Sequence, residues 1–117
     1  MLALETDLGT VAGHRLLLRS LEIWDGWADL RFARIDEGAS RPLPRRVPPT
    51  GAWRVWLDDA PVEVLDAVGR GDREFSNGEA RLAAASWSGG HLRVEVELLP
   101  DTPALRGEVT LPRLPGA

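Results

Sequence analysis

Apolar and polar residues alternate with a period of two along most of the chain. The clearest alternation lies in residues 92–98 and 105–111, where charged residues separate the apolar ones. Such a pattern is typical of β-strands with one buried face, because successive side chains point to opposite sides of a sheet. The apolar positions predicted to face inward are Leu92, Val94, Val96, Leu98, Leu105, Val109 and Leu111.

Residues 16–32 predict a β-hairpin centred on Asp25-Gly26. Asp-Gly is favoured in a two-residue type I′ turn, in which both central residues have positive φ. Strand residues whose numbers sum to 51 then face each other, and a slip by one residue would scatter the apolar set. The predicted pairs are Leu21 with Leu30, Ile23 with Ala28 and Arg19 with Phe32 on one face, and Trp24 with Trp27, Glu22 with Asp29 and Ser20 with Arg31 on the other.

The remaining alternation predicts further strands at residues 2–8, at 53–57, and at one strand containing Val62, Val64 and Val68. Residues 79–88 fit a short helix by propensity and a strand by position, and we favour the strand. Seven or eight short strands without a convincing long helix predict an all-β protein with an antiparallel β-sandwich. A small closed β-barrel is the alternative.

A proline-rich segment at residues 36–51 interrupts the alternation, with four of the nine prolines inside residues 41–49. Proline has no backbone N–H and keeps the preceding residue extended. We expect a crossing loop between the two sheets, within a single domain that spans residues 1–117. Arg45 and Arg46 make this loop locally basic, so it can contact an anionic partner or an aromatic groove. A solvated connector is the simpler interpretation.

Composition narrows the class of protein. A net charge of −4 and a pI near 5.1 argue against a general nucleic-acid binder. There is no cysteine, and no apolar run approaches the roughly 20 residues of a membrane span. The first residues lack the features of a signal peptide, so we expect a cytoplasmic protein without a membrane partner.

Residues for catalysis or metal binding are sparse. His14 and His91 show no metal-ligand spacing and lie at predicted strand starts, where an exposed or half-buried histidine is common. No serine has a GxSxG context, and the acidic residues Asp58, Asp59 and Asp66 match no calcium loop. The sequence therefore predicts no catalytic residue, no metal and no cofactor, and the protein is not expected to be an enzyme.

Three of the five tryptophans, Trp24, Trp27 and Trp56, fall on the polar faces of their strands. A cross-strand tryptophan pair stabilises a hairpin, whereas exposed indole rings are typical of surfaces that bind a protein or a sugar. We favour the structural interpretation. Trp53 is expected to face inward, and the position of Trp87 stays open.

Residues 20–27, the proline-rich loop, and Trp53-Arg54-Val55 ahead of Asp58-Asp59 resemble small immunoglobulin-like β-sandwich proteins of actinobacteria. The closing hairpin, with Leu98-Leu99-Pro100, adds to the resemblance. The likeness covers most of the chain and implies an immunoglobulin-like fold. It implies no activity, because these proteins are uncharacterised.

Three functional hypotheses follow. The first is a non-catalytic immunoglobulin-like module that contacts another protein, or itself through an edge strand. The second is a carbohydrate-binding module, which the missing secretion signal makes less favoured, and the third, ranked last, is an enzyme built from scattered Asp, Glu and His. The candidate binding residues are Trp24, Trp27, Trp56, Arg45 and Arg46.

Overall fold

The structure is a computed structural model, which describes residues 2–38, 43, 47–71, 75–83 and 89–112. These residues contain nine strands and one short 3₁₀ turn, Thr50–Ala52. The strands are β1 (Leu2–Val11), β2 (His14–Trp24), β3 (Trp27–Asp36), β4 (Trp53–Leu57), β5 (Ala60–Val62), β6 (Val64–Gly71), β7 (Phe75–Ala83), β8 (Gly90–Val96) and β9 (Leu105–Leu111).

The strands form two antiparallel sheets, with orders β1-β2-β3-β7-β6 and β5-β4-β8-β9. The predicted β-sandwich is therefore confirmed, and the alternative of a small closed barrel is wrong. In constant-type immunoglobulin domains the third strand lies in the second sheet. Here β3 stays beside β2, so the layered architecture is accompanied by a different strand order.

The strand count exceeds the predicted seven or eight because one predicted strand is two. Val62 belongs to β5 and pairs with Val55, whereas Val64 belongs to β6 and pairs with Leu82 of the other sheet. The chain crosses between the sheets at Glu63, whose carbonyl accepts the Ala83 N–H at 2.9 Å. Because the period-two pattern continues through this crossing, the sequence shows no break there.

The hydrophobic core lies between the two sheets. The alternating residues of β8 are fully buried as predicted, with Val94 and Val96 both at 0% exposure. Trp53 also faces inward, with its ring 4.8 Å from that of Phe32 (centroid to centroid). The Trp53 Nε1 donates to the Pro48 carbonyl at 3.1 Å, so the core residue holds the end of the connection between β3 and β4.

The β2–β3 hairpin follows the predicted register from its turn as far as Ser20 and Arg31. The predicted pairing of Arg19 with Phe32 is wrong, because a register shift between Leu18 and Ser20 places Leu18 opposite Phe32. Arg19 is the extra residue of a β-bulge. Beyond it the paired numbers sum to 50, so Leu16 and Leu18 also point into the core.

The turn of this hairpin lies at Asp25-Gly26 as predicted, but it is not type I′. Gly26 has a φ of +89°, whereas Asp25 is not among the residues with positive φ. Positive φ at the second central residue alone is the type II pattern. The type I′ pattern of two positive φ values occurs instead at Asp58-Asp59, between β4 and β5, with φ of +51° and +66°.

The structure describes only part of two segments, residues 36–51 and residues 79–88. β3 belongs to one sheet and β4 to the other, and several residues of the proline-rich segment between them lie outside the described residues. Residues 79–83 belong to strand β7, as favoured over a helix. Residues 84–88, and with them Trp87, lie outside the described residues.

Candidate interaction site

Trp24 and Trp27 face each other across the turn of the β2–β3 hairpin. Their rings stack with centroids 5.3 Å apart and an interplanar angle of 22°. The Arg81 guanidinium lies 4.1 Å from the centre of the Trp27 ring and bonds Asp29 at 3.2 Å. These contacts cover Trp27 and leave Trp24 50% exposed. The pair therefore has the contacts expected of a hairpin-stabilising cluster.

Trp56 lies on the outer face of the four-stranded sheet, where the Arg93 guanidinium is 4.3 Å from its ring centre. Trp24 and Trp27 lie on the outer face of the five-stranded sheet, so the core separates them from Trp56. The three rings consequently form no common platform on which one sugar chain could stack. The other two candidates, Arg45 and Arg46, lie outside the described residues.

A buried polar cluster joins the ends of β2, β3 and β7. His14 Nδ1 lies 2.7 Å from Asp36 Oδ1, and Arg34 forms an ion pair with the same carboxylate. Arg34 Nε also donates to Ser76 Oγ at 3.1 Å. His14 is 2% exposed, so the expectation of an exposed or half-buried histidine is wrong. Alternation places Arg34 and Asp36 on the inward face with Leu30 and Phe32, whereas His14 reaches that face only because of the bulge at Arg19.

The chemistry available to this cluster is limited by its burial. A serine nucleophile needs a base within hydrogen-bond reach and access to substrate. Ser76 has 0% exposure and bonds Arg34. The cluster is thus suited to satisfying buried charges and tying three strands together.

Metal-ligating side chains do not cluster in the described part of the chain. Within it, no three or more His, Cys, Asp or Glu residues are arranged to hold a metal ion. His91 lies on the surface and pairs with Glu108 at 3.1 Å.

Among the described strands, the edge strand β6 has the largest share of exposed residues. At the opposite side of the same sheet, β1 lies against β9, where Leu8 and Thr6 fill the space beside Gly107. The edge strand β5 is only three residues long and contains Pro61, which weakens strand pairing. β6 has eight residues and carries Leu65 and Val68, which are 50% and 53% exposed. Sequence reasoning missed this edge because it merged β5 with β6.

A groove of about 1140 Å³ crosses the outer face of the five-stranded sheet and ends at β6. The bulge residue Arg19 lines it and donates to Asn77 Oδ1 at 3.3 Å. Arg31 lines it as well and lies 3.2 Å from Glu22 and 3.9 Å from Glu79. The charges that line the groove are thus largely neutralised within it. Val68 and Arg70 form the wall of the groove at the sheet edge.

Comparisons with known proteins add no family to this picture. No protein-family model matches the chain, and no curated protein shows significant similarity to it. The resemblance to small immunoglobulin-like proteins of actinobacteria stays a prediction. Among the described residues, no helix has the length and apolar character to cross a bilayer.

Proposed function

We propose that this β-sandwich is a non-catalytic protein-binding module that takes up an extended segment of a partner protein along β6. The observation that supports this proposal is the position of β6, which is the last strand of its sheet among the described residues. An edge strand presents a row of unpaired N–H and C=O groups that can pair with another chain. Recognition by strand addition derives affinity from these backbone groups and specificity from alternate side chains.

The composition of β6 favours pairing over protection. Proteins usually shield long edge strands with proline, lysine or inward-pointing charges. β6 contains no proline or lysine, and its two charged residues are the oppositely charged Asp66 and Arg70. A bulge between Val64 and Asp66 affects only the start of the strand. The five residues from Asp66 to Arg70 therefore follow a regular register.

The carbohydrate-binding alternative receives less support from the geometry. Sugar-binding platforms need ring faces that are open to solvent, whereas arginines lie over Trp27 and Trp56. Among the described tryptophans, only Trp24 is half exposed. We therefore propose protein contact as the function.

Site-specific photo-cross-linking tests this proposal. A photoreactive amino acid replaces Val68 in the full chain, expressed in its native cells, and mass spectrometry identifies the adducts. The matched control places the same residue at Thr110, which is exposed on the outer face of the other sheet. We expect adducts with an extended protein segment from position 68 and not from position 110. Adducts from position 110 alone, or none from position 68, would overturn the proposal.

A further inference from the structure

We propose that the segment taken up by β6 is the β6 strand of a second copy of the chain, paired antiparallel about a two-fold axis at Val68. This inference rests on the proposed function of the β6 edge. It goes further by naming the partner and the register. Three features of β6 support this pairing: the direction of its backbone groups, the charges along it, and the face on which its side chains lie.

The direction of the backbone groups follows from Ala67. Its N–H donates to the Asp66 carboxylate at 2.9 Å in an exposed hydrogen bond, from which we infer that this N–H points away from β7. In an antiparallel ladder, the residues that bond to one neighbour alternate with those that bond to the other. The outward-bonding residues are therefore Ala67 and Gly69, and Val68 between them bonds to β7.

The charges then select one register. In a two-fold antiparallel pair, each outward-bonding residue must lie opposite another outward-bonding residue. The two-fold axis can therefore pass through Ala67, Val68 or Gly69. Centring on Val68 places Asp66 opposite Arg70 of the second copy, twice by symmetry. In the other two registers, neither Asp66 nor Arg70 lies across from a residue of opposite charge. No ion pair within the described residues involves Asp66 or Arg70.

The side chains of this register lie on one face. Asp66, Val68 and Arg70 are opposite Arg81, Glu79 and Asn77 of β7, on the outer face of the sheet. In the dimer Val68 contacts its own symmetry mate, and an Asp–Arg pair lies on each side of that contact. Ala67 exchanges two hydrogen bonds with Gly69 of the second copy, so its N–H no longer needs the Asp66 carboxylate. The two sheets become continuous across the axis.

Cysteine cross-linking measures the register, because the natural chain has no cysteine. Opposite residues in such pairs have Cα atoms about 4.5–5.5 Å apart, within reach of a disulfide. We expect Val68→Cys to oxidise to a covalent dimer at least about tenfold faster than the exposed control Thr110→Cys. A mixture of Asp66→Cys and Arg70→Cys chains should form mixed dimers in preference to either homodimer. A Val68→Cys variant that oxidises no faster than the control would overturn the register.

Charge reversal measures the association itself, by sedimentation of the full chain over a concentration series. Asp66→Arg or Arg70→Asp alone places like charges opposite each other, and each should weaken dimerisation about tenfold. The double variant restores opposite charges and should recover it. Arg106→Asp is the matched control, because Arg106 is an exposed residue of β9 and the substitution makes the same charge change as Arg70→Asp. Failure of the double variant to recover the dimer would contradict the proposal.

The two proposals fail separately. A chain that stays monomeric while Val68 cross-links to a different protein contradicts self-pairing and supports the proposed function. A monomeric chain without any cross-link from position 68 contradicts both.

Discussion

Ala12 stores local strain at the turn between β1 and β2, where it adopts a φ of +50° beside Gly13. The left-handed region costs a residue with a Cβ roughly 1–2 kcal/mol, and glycine avoids that cost. We expect Ala12→Gly to raise the free energy of unfolding by about 0.5–1 kcal/mol, partly offset by the greater freedom of the unfolded chain. Urea denaturation measures the change.

Gly26→Ala is the matched opposite, because Gly26 has a φ of +89° and open space around its Cα. It should lower the free energy of unfolding by about 1 kcal/mol through backbone strain alone. An Ala12→Gly variant that is less stable than the natural chain would contradict the assigned strain.

Val94 and Arg93 are neighbours on opposite faces of β8. Val94 is fully buried, whereas the Arg93 side chain is 38% exposed and lies over Trp56. Val94→Ala should reduce the free energy of unfolding by about 1–3 kcal/mol, since it removes buried methyl groups and leaves a cavity. Arg93→Ala should reduce it by less than about 1 kcal/mol, the usual range for an exposed cation–π contact. Equal sensitivity in thermal and urea denaturation would contradict the assigned faces.

Residues whose faces follow from alternation alone could be predicted from the sequence. Leu92, Val94 and Val96 needed only the period of two. The partner of Trp27 could not be predicted in the same way, because Arg81 is distant in sequence and reaches the ring through the β3–β7 pairing. The sequence pattern therefore leaves the outer ring face of Trp27 looking exposed, whereas in the fold Arg81 covers it.

At the level of elements, the Arg19 bulge decides which side chains of β2 enter the core. It lets Leu16 and Leu18 share a face with Leu21, although the numbers of inward residues change parity between them. Deleting Arg19 should remove the bulge and turn the preceding residues to the other face. We expect the deletion variant to lose cooperative unfolding, as monitored by near-ultraviolet circular dichroism.

Arg19→Ala is the control for that deletion, since it keeps the extra residue and removes only an exposed hydrogen bond to Asn77. It should change the free energy of unfolding by less than about 1 kcal/mol. A deletion variant that unfolds as cooperatively as Arg19→Ala would show that the strand tolerates the shifted register.

Element boundaries were predictable where turn residues mark them and not where the chain changes sheet without a turn. Asp25-Gly26 located a hairpin correctly even though the turn type differed. At Glu63 the chain passes from β5 to β6 in one residue, with apolar residues continuing at every second position. Only the pairing partners distinguish the two strands, and these depend on tertiary contacts. The open edge of β6, and with it the proposed interaction site, was hidden for that reason.

At the scale of the whole molecule, the acid stability of the sandwich includes a contribution from the β1–β2 pairing. Asp7 Oδ2 accepts a hydrogen bond from Arg15 Nε at 2.9 Å, and Asp7 Oδ1 accepts one from the Gly9 N–H at 2.8 Å. The Arg15 bond, followed by the Gly9 bond, lowers the pKa of Asp7 below its ordinary value of 3.8. Since the folded state favours the ionised carboxylate, this contribution is complete above about pH 4 and is lost as the pH falls further.

Asp7→Asn isolates the charge, because the amide oxygen can still accept the Gly9 N–H. We expect the variant to be slightly less stable than the natural chain at pH 6 and low salt, with a gap that closes as the pH falls below 4. The gap is small because both side chains are more than one-third exposed and solvent screens their attraction. It should also narrow in high salt. Urea denaturation across this pH range measures both trends, and a gap that widens in acid would mean that the folded chain favours the protonated carboxyl.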